Sequence, residues 1–283
     1  MKFSIIGGDR RAALLAELLY GEGQRVHSFA LERAALPKDI PRADHLQGAL
    51  YGADAVILPL PLEKGGYINA PYARTSCPVR ELTEAIWPGQ IVFGGLFSEE
   101  LRLWAINSGV QLVDWMRRPG FVLGNAALTA EGAVGLLLQE DERSLAGSRV
   151  LVCGYGRIGR ILAQRLRAMG AGVSVAARRE ESRAEAAAMG CAAHDYETLS
   201  GGFDFVVNTV PERVLGEGFL CCLPEGTLLL ELASAPGGFD RNFAENLGLR
   251  VIAAPGLPGK CAPRAAAALM LQEIRRAMKE ERE

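Results

Sequence analysis

Arg149-Val-Leu-Val-Cys153-Gly154-Tyr155-Gly156-Arg157-Ile158-Gly159 is the stretch on which the reading of this chain turns. An apolar run of strand length leads into G-x-G-x-x-G, and a helical pattern follows as far as Met169. A second apolar run, Gly172-Val-Ser-Val-Ala-Ala177, ends about 20 residues beyond the loop. A bare glycine motif says little, but between a strand and a helix it predicts a dinucleotide site. Gly154 permits the tight turn, Gly156 lets backbone approach a pyrophosphate, and Gly159 lets helix pack on strand. Free N–H groups at the helix start, on Gly156, Arg157, Ile158 and Gly159, then face the phosphates. Tyr155 completes the loop.

The end of the second strand selects the cofactor. NAD sites place a carboxylate there for the ribose 2′-hydroxyl. This chain has Ala176-Ala177-Arg178-Arg179, with Glu180 and Glu181 falling in the next helix. A carboxylate would repel a 2′-phosphate, whereas arginine grips one with two hydrogen bonds. The expectation is therefore NADP, with NAD as the alternative. Asn208-Thr209-Val210-Pro211 ends a later strand, at the edge where the nicotinamide end of a cofactor passes.

Outward from the loop, apolar runs alternate with amphipathic stretches along the whole chain. Strands are predicted at 3–7, 25–29, 53–58, 90–94 and 110–114, and then at 149–153, 172–177, 203–208, 227–231 and 250–254. Helices are predicted at 10–20, 79–87, 99–108, 124–138, from the glycine loop to 169, at 180–189 and at 262–280. This β-α-β order predicts an α/β protein: two doubly wound, parallel-sheet Rossmann-like domains joined by an interdomain helix. The expected divisions are a substrate domain at 1–123, a crossover helix at 124–143, an NADP-binding domain at 144–260, and a C-terminal helix at 261–283 that packs back at the interface.

Length and composition agree. The 283 residues suit two domains, and 49% hydrophobic with 23% charged residues is ordinary for a globular protein. A net charge of −2 implies no bulk attraction to nucleic acid or membrane. No signal peptide precedes the first strand, and no apolar run approaches the ~18 residues of a membrane span. A cytoplasmic location is the expectation. The six cysteines form no C-x-x-C pair and read as reduced thiols acting as small hydrophobes.

Candidates for chemistry are sparse. His27, His45 and His194 are the only histidines, and none follows a late strand of the second domain. That argues against a 2-hydroxy-acid dehydrogenase, whose general acid–base is usually a histidine placed there. Gly7-Gly8-Asp9-Arg10-Arg11 follows the first strand and offers arginines to a carboxylate, or Asp9 as a helix cap. Leu58-Pro-Leu-Pro61 with Gly65-Gly66 reads as a rigid turn and a flexible loop, either walling a pocket or merely connecting. Asn125, Thr129 and Glu131 enter the crossover helix, where burial would be expensive without partners. The Pro-Gly pair of Leu257-Pro-Gly-Lys260-Cys-Ala-Pro-Arg264 reads as a turn that leaves Lys260 or Arg264 facing the cleft.

In this order the segments resemble the family of the dipicolinate synthase A component, the NADP-binding member of a two-component enzyme. The resemblance rests on Gly7-Gly8-Asp9 with Arg11, the Leu58-Pro59 turn, Asn125 with Thr129-x-Glu131-Gly132, and the glycine loop. It continues through Ala177-Arg178, Asn208-Thr209-x-Pro211, Leu232-Ala-Ser-x-Pro-Gly-Gly-x-Asp240 and Ala254-Pro-Gly-Leu-Pro-Gly259. It implies oxidation, with dehydration, of 4-hydroxy-tetrahydrodipicolinate to dipicolinate, with NADP as hydride acceptor. The setting it implies is the mother cell of a sporulating bacterium, and the partner is the flavoprotein-like B component of dipicolinate synthase. Its domain pair would be like that of the alanine or formate dehydrogenases, in a homo-oligomer. On this reading Arg11 and Lys260 hold the carboxylates of a small dicarboxylate substrate, with Arg264 as a lesser candidate. Thr129 and Glu131 orient it or move a proton. Two other readings stay open: another NAD(P)-dependent oxidoreductase of alanine or 2-hydroxy-acid dehydrogenase architecture, and a non-catalytic NADP-binding regulatory protein.

Overall fold

The structure, a computed structural model, describes residues 1–280. Contacts divide the chain into two compact units, residues 1–125 with the stretch from Ala262 onward, and Ala126–Cys261.

The first unit runs β1 (Lys2–Ile6), α1 (Arg10–Gly21), β2 (Arg25–Phe29), α2 (Leu46–Leu50), β3 (Ala55–Ile57), β4 (Glu63–Lys64), β5 (Tyr67–Ile68), α3 (Arg80–Ala85), β6 (Ile91–Gly94), α4 (Glu99–Asn107) and β7 (Gln111–Asp114). Five strands pair in parallel in the order β2-β1-β3-β6-β7, and β4 and β5 form a separate hairpin. Alternating Ala and Leu give α1 an apolar face, and the Asp9 carboxylate caps it by accepting from the Arg11 N–H at 2.9 Å. In α4, Ser98 is the cap, and Glu99 and Glu100 complement the positive helix end. One face of the sheet buries Phe3, Ile5, Phe93 and Trp115 against α1. The other buries Val56, Leu58, Val92 and Leu101.

α5 (Pro119–Glu140) holds the division between the units, at Asn125/Ala126. The second unit continues with β8 (Arg149–Cys153), α6 (Arg157–Ala168), β9 (Gly172–Ala176), α7 (Glu180–Ala188), β10 (Ala192–His194), β11 (Phe205–Asn208), α8 (Glu217–Leu220), β12 (Leu228–Glu231), α9 (Arg241–Asn246), β13 (Arg250–Ala253) and α10 (Leu257–Cys261). Its six parallel strands lie in the order β10-β9-β8-β11-β12-β13. This is the dinucleotide-binding order, with a switch point between β8 and β11. Val150, Leu151, Val152, Phe205, Val206 and Val207 are wholly buried, as strands covered on both faces require. α11 (Pro263–Glu280) belongs to the first unit, where Ala267, Met270, Leu271 and Ile274 join the core beside α1.

The doubly wound architecture expected from sequence is present, with differences in detail. Residues 257–261 form a helical turn where Pro258-Gly259 suggested a bend, because proline near a helix start sacrifices no hydrogen bond. Gly65-Gly66 is not a flexible loop but the tight turn of the β4–β5 hairpin, with φ of +63° and +83°. His194 lies in β10, a strand whose apolar pattern is too short to be predicted. Cys221, Cys222 and Cys261 are exposed, so only Cys77, Cys153 and Cys191 act as core residues. Contrary to expectation, α5 is long and apolar enough to cross a membrane by length and composition, with mean hydropathy 1.6 over an 18-residue window. Core helices pass the same test, and Ala130, Ala133 and Leu137 of α5 lie in the second core.

The C-terminal end of α5 is fastened by charge. Asp141 accepts from the Arg143 backbone N–H at 2.9 Å, from its guanidinium at 2.8 Å, and from Arg250 Nη1 of β13 at 3.0 Å. Its side chain is only 5% exposed. The hydrogen bonds from Arg143, helped by the Arg250 charge, hold the carboxyl at about 2. A carboxyl lowered on folding stabilises fully above its unfolded pKa, near 3.8, and loses that contribution as pH falls through the folded value. Asp141→Asn is expected to cost about 2 kcal/mol at neutral pH. Urea unfolding across a pH series should show that difference shrinking from about pH 4 toward pH 2; a pH-independent difference would contradict it.

Candidate dinucleotide site and switch-point loop

In the second unit β8 ends at Cys153, and the chain turns through Gly154 at φ +89°. A Cβ on Gly154 would lie 2.6 Å from Val210 Cγ2 and 2.7 Å from Thr209 Oγ1. On Gly159, in the first turn of α6, it would lie 2.0 Å from the Gly154 carbonyl oxygen. These two glycines let the helix start close onto the strand end. Gly156 differs: its φ of −82° suits any residue, and a Cβ there would meet nothing within 4 Å. No protein atom requires glycine at 156, so the open space beside this backbone fits an incoming group. Gly156 is the N-cap of α6 and provides no side-chain cap, which leaves the helix's first N–H groups for a ligand. Arg157 is exposed, and no ion pair involves it among the described residues. Ile158 is half-buried against the core. Tyr155 is buried, with the Arg160 guanidinium 5.5 Å from its ring centre, so its side chain anchors the loop. These features fit a dinucleotide diphosphate.

Across the switch point, Asn208 is wholly buried and fully bonded. Its amide donates to the Val210 carbonyl at 2.8 Å and to Glu231 Oε1 at 2.7 Å, while Oδ1 accepts from Val210 N–H at 3.2 Å. Thr209 donates its hydroxyl to the Cys153 carbonyl at 2.8 Å. Both side chains thus shape the Val210-Pro211 turn from within, leaving backbone to line the site. Glu231, to which sequence reasoning gave no role, is the centre of the arrangement. It also accepts from Ala233 N–H at 2.9 Å and Gly238 N–H at 2.7 Å, closing the Leu232–Gly238 loop on itself. A Cβ on Gly238 would stand 2.4 Å from Asn208 Cγ. The available signal was a carboxylate at a strand end, followed by Pro236-Gly237-Gly238.

Arg178 and Arg179 leave the end of β9 exposed to solvent, with no carboxylate on Ala176 or Ala177. Arg178 Nη1 meets Glu212 Oε2 at 3.0 Å, and Arg179 has no ion-pair partner among the described residues. Arg183 fixes the loop backbone, donating to the carbonyls of Ala177 at 2.8 Å and Arg178 at 2.7 Å.

In the first unit the switch point lies between β1 and β3. Arg11 is 8% exposed there. Its Nε and Nη2 grip Asp9 at 2.8–3.1 Å, and Nη2 donates to the Leu60 carbonyl at 2.6 Å. This pairing was not anticipated and leaves Nη1 as the donor for a ligand. Gly8 N–H donates to the Asn69 carbonyl at 2.9 Å, bringing the hairpin over the loop. Thr129 is buried in α5, as expected, whereas Glu131, two residues on, is exposed. Lys260 is exposed on α10. Arg264 is exposed and pairs with Glu17 at 2.8 Å, which makes it a surface residue of the first unit.

Residues 2–116 match the family model of the N-terminal domain of the dipicolinate synthase A component. Residues 129–221 match that of the D-isomer specific 2-hydroxyacid dehydrogenase, NAD binding domain. The dipicolinate synthase A component of Bacillus subtilis (strain 168) is 29% identical over 294 residues, covering 99% of this chain and 96% of that one. The crystal structure of the same component from Bacillus halodurans superposes with a TM-score of 0.84 at 26% identity, covering 98% of this chain and 97% of that one. An L-alanine dehydrogenase, at 14% identity and TM-score 0.61, covering 96% and 87% of the two chains, shares the fold alone. The chain is thus similar to the dipicolinate synthase A component along nearly its whole length, and its second unit carries the match to an NAD-binding domain of an oxidoreductase.

The glycines separate folding from binding. Gly156→Ala should leave the melting temperature unchanged but weaken binding of the reduced nicotinamide nucleotide, NADPH or NADH, followed by its fluorescence, at least about tenfold. Gly159→Ala should destabilise the second unit by several kcal/mol, on the order of other severe core clashes. Equal behaviour of the two variants would refute the distinction.

Proposed function

We propose that this chain is the A component of a dipicolinate synthase, oxidising 4-hydroxy-tetrahydrodipicolinate to dipicolinate with NADP, in concert with a flavoprotein-like B component. The observation that carries the reading is the open cradle at Gly156, in a chain that resembles that component from end to end. The choice of NADP is supported by Arg178 and Arg179 at the end of β9, where NAD sites need a carboxylate. The cytoplasm of a sporulating mother cell is the setting this reading assigns, on resemblance.

The balance is simple. The substrate loses one water, one hydride and one proton to become an aromatic pyridine dicarboxylate. The bound nicotinamide supplies the hydride acceptor. This chain's task is to hold a dicarboxylate dianion in position and to exclude water. Arg11 is suited to carboxylate binding through Nη1, since Asp9 and the Leu60 carbonyl fix the rest of the guanidinium before any ligand arrives. Lys260, exposed on α10 of the second unit, is assigned to carboxylate binding. Thr129 and Glu131 are assigned to orientation or proton transfer. Aromatisation drives the reaction forward, so strong acid–base catalysis is not required.

The test is NADPH formation from freshly generated substrate, with dipicolinate measured in parallel, by this chain with and without the B component. The two products should appear in equal amounts, and Arg11→Gln should reduce turnover while leaving NADPH binding intact. Turnover of an amino acid by the isolated chain, or binding of NADP with no turnover in either setting, would overturn the proposal.

A further inference from the structure

β9 and β11 lie on either side of β8, so the loops after them flank the glycine loop. The Arg178–Glu212 ion pair joins those flanking loops across it. Pro211 precedes Glu212 and restricts that turn, while the bonds from Arg183 fix the backbone at Ala177 and Arg178. The backbones are thus restrained, and the two exposed side chains are the groups that rearrange. These are 66% and 59% exposed, which makes the pair weak and readily exchanged.

We propose that Glu212 sets the discrimination between NADP and NAD by competing with a 2′-phosphate for Arg178. The inference rests on the NADP reading above. A phosphate monoester at the end of β9 must draw the Arg178 guanidinium away from the Glu212 carboxylate, and it then lies near that carboxylate's negative charge. NAD, with a neutral 2′-hydroxyl, leaves the pair intact. Glu212 therefore subtracts from NADP affinity alone, and the site accepts both nucleotides with a moderate preference. The unpaired Arg179 supplies a second cation that Glu212 does not offset.

Dissociation constants of NADPH and NADH, measured by fluorescence titration on the full chain, test this. Glu212→Gln should tighten NADPH binding about three- to tenfold and leave NADH within about twofold, the scale of one exposed charge pair. The gain should shrink with added salt and vanish in an Arg178→Gln background. Arg178→Gln alone should weaken NADPH at least about tenfold. If Arg178→Gln weakens NADPH but Glu212→Gln leaves the NADPH-to-NADH ratio unchanged or lowers it, Glu212 has no such role and the NADP reading stands. If neither variant moves the ratio, the NADP reading fails as well.

Discussion

The close approach of Gly159 to the Gly154 carbonyl oxygen is the constraint on which the rest of the site depends. With 2.0 Å between that oxygen and the place a Cβ would take, nothing larger than hydrogen fits. The contact brings the first turn of α6 against the end of β8 and aims the helix N–H groups past Gly156 into open space. Thr209 and Val210 close on Gly154 from the other side, so the loop is gripped by both strands of the switch point. The phosphate cradle is therefore a consequence of close packing and needs no ligand to form it.

Charged groups near the strand ends are satisfied by the protein's own side chains and backbone. Glu231 spends both oxygens on Asn208 and on the N–H groups of its own loop. Arg11 spends most of its donors on Asp9 and Leu60. A carboxylate or guanidinium bonded in this way rigidifies the loop it organises. This is in keeping with the proposed oxidation to an aromatic product, in which holding the substrate counts for more than acid–base strength. Glu231 also explains the paired glycines of Leu232-Ala-Ser-Ala-Pro-Gly-Gly238: Gly238 must clear Asn208, and Gly237, at φ +80°, must clear Glu231 itself.

The sheet strands and the long helices were legible because buried parallel strands are continuous apolar runs, and helices such as α1 and α6 carry a clear apolar face. Short elements escaped. α2 has five residues and β10 three, too few for a periodicity to show. α10 was masked by Pro258-Gly259, and it packs on α5 at Gly132, where an added Cβ would stand only 3.1–3.2 Å from Leu257 and Cys261, closer than an ordinary contact. That also gives Gly132 a packing role, inside a segment read from sequence as a set of polar ligands. At the site, the glycines could be assigned from spacing alone, because each conformational demand is local. The partners Asp9 to Arg11, Asn208 to Glu231 and Arg178 to Glu212 could not. The last two join residues 23 and 34 positions apart, and only the strand order makes them neighbours.

The two units share an architecture and differ in what their first loop can hold. In the second unit Gly156 stands clear of protein, and the helix start is uncapped. In the first, Gly7 would place a Cβ 3.0 Å from Ala70 and 3.1 Å from Ile68, and Gly8 would place one 2.6 Å from Ala12. Both have positive φ, at +62° and +98°. These glycines answer to the protein's own packing and leave no comparable gap. Asp9 then occupies the helix start with a carboxylate, taking up the N–H that a phosphate would need and repelling it by charge. A dinucleotide is therefore excluded from the first loop by the same physics that admits it to the second. What the first loop retains is a guanidinium fixed by its neighbours, with one nitrogen to spare, and that suits a single carboxylate far better than a diphosphate.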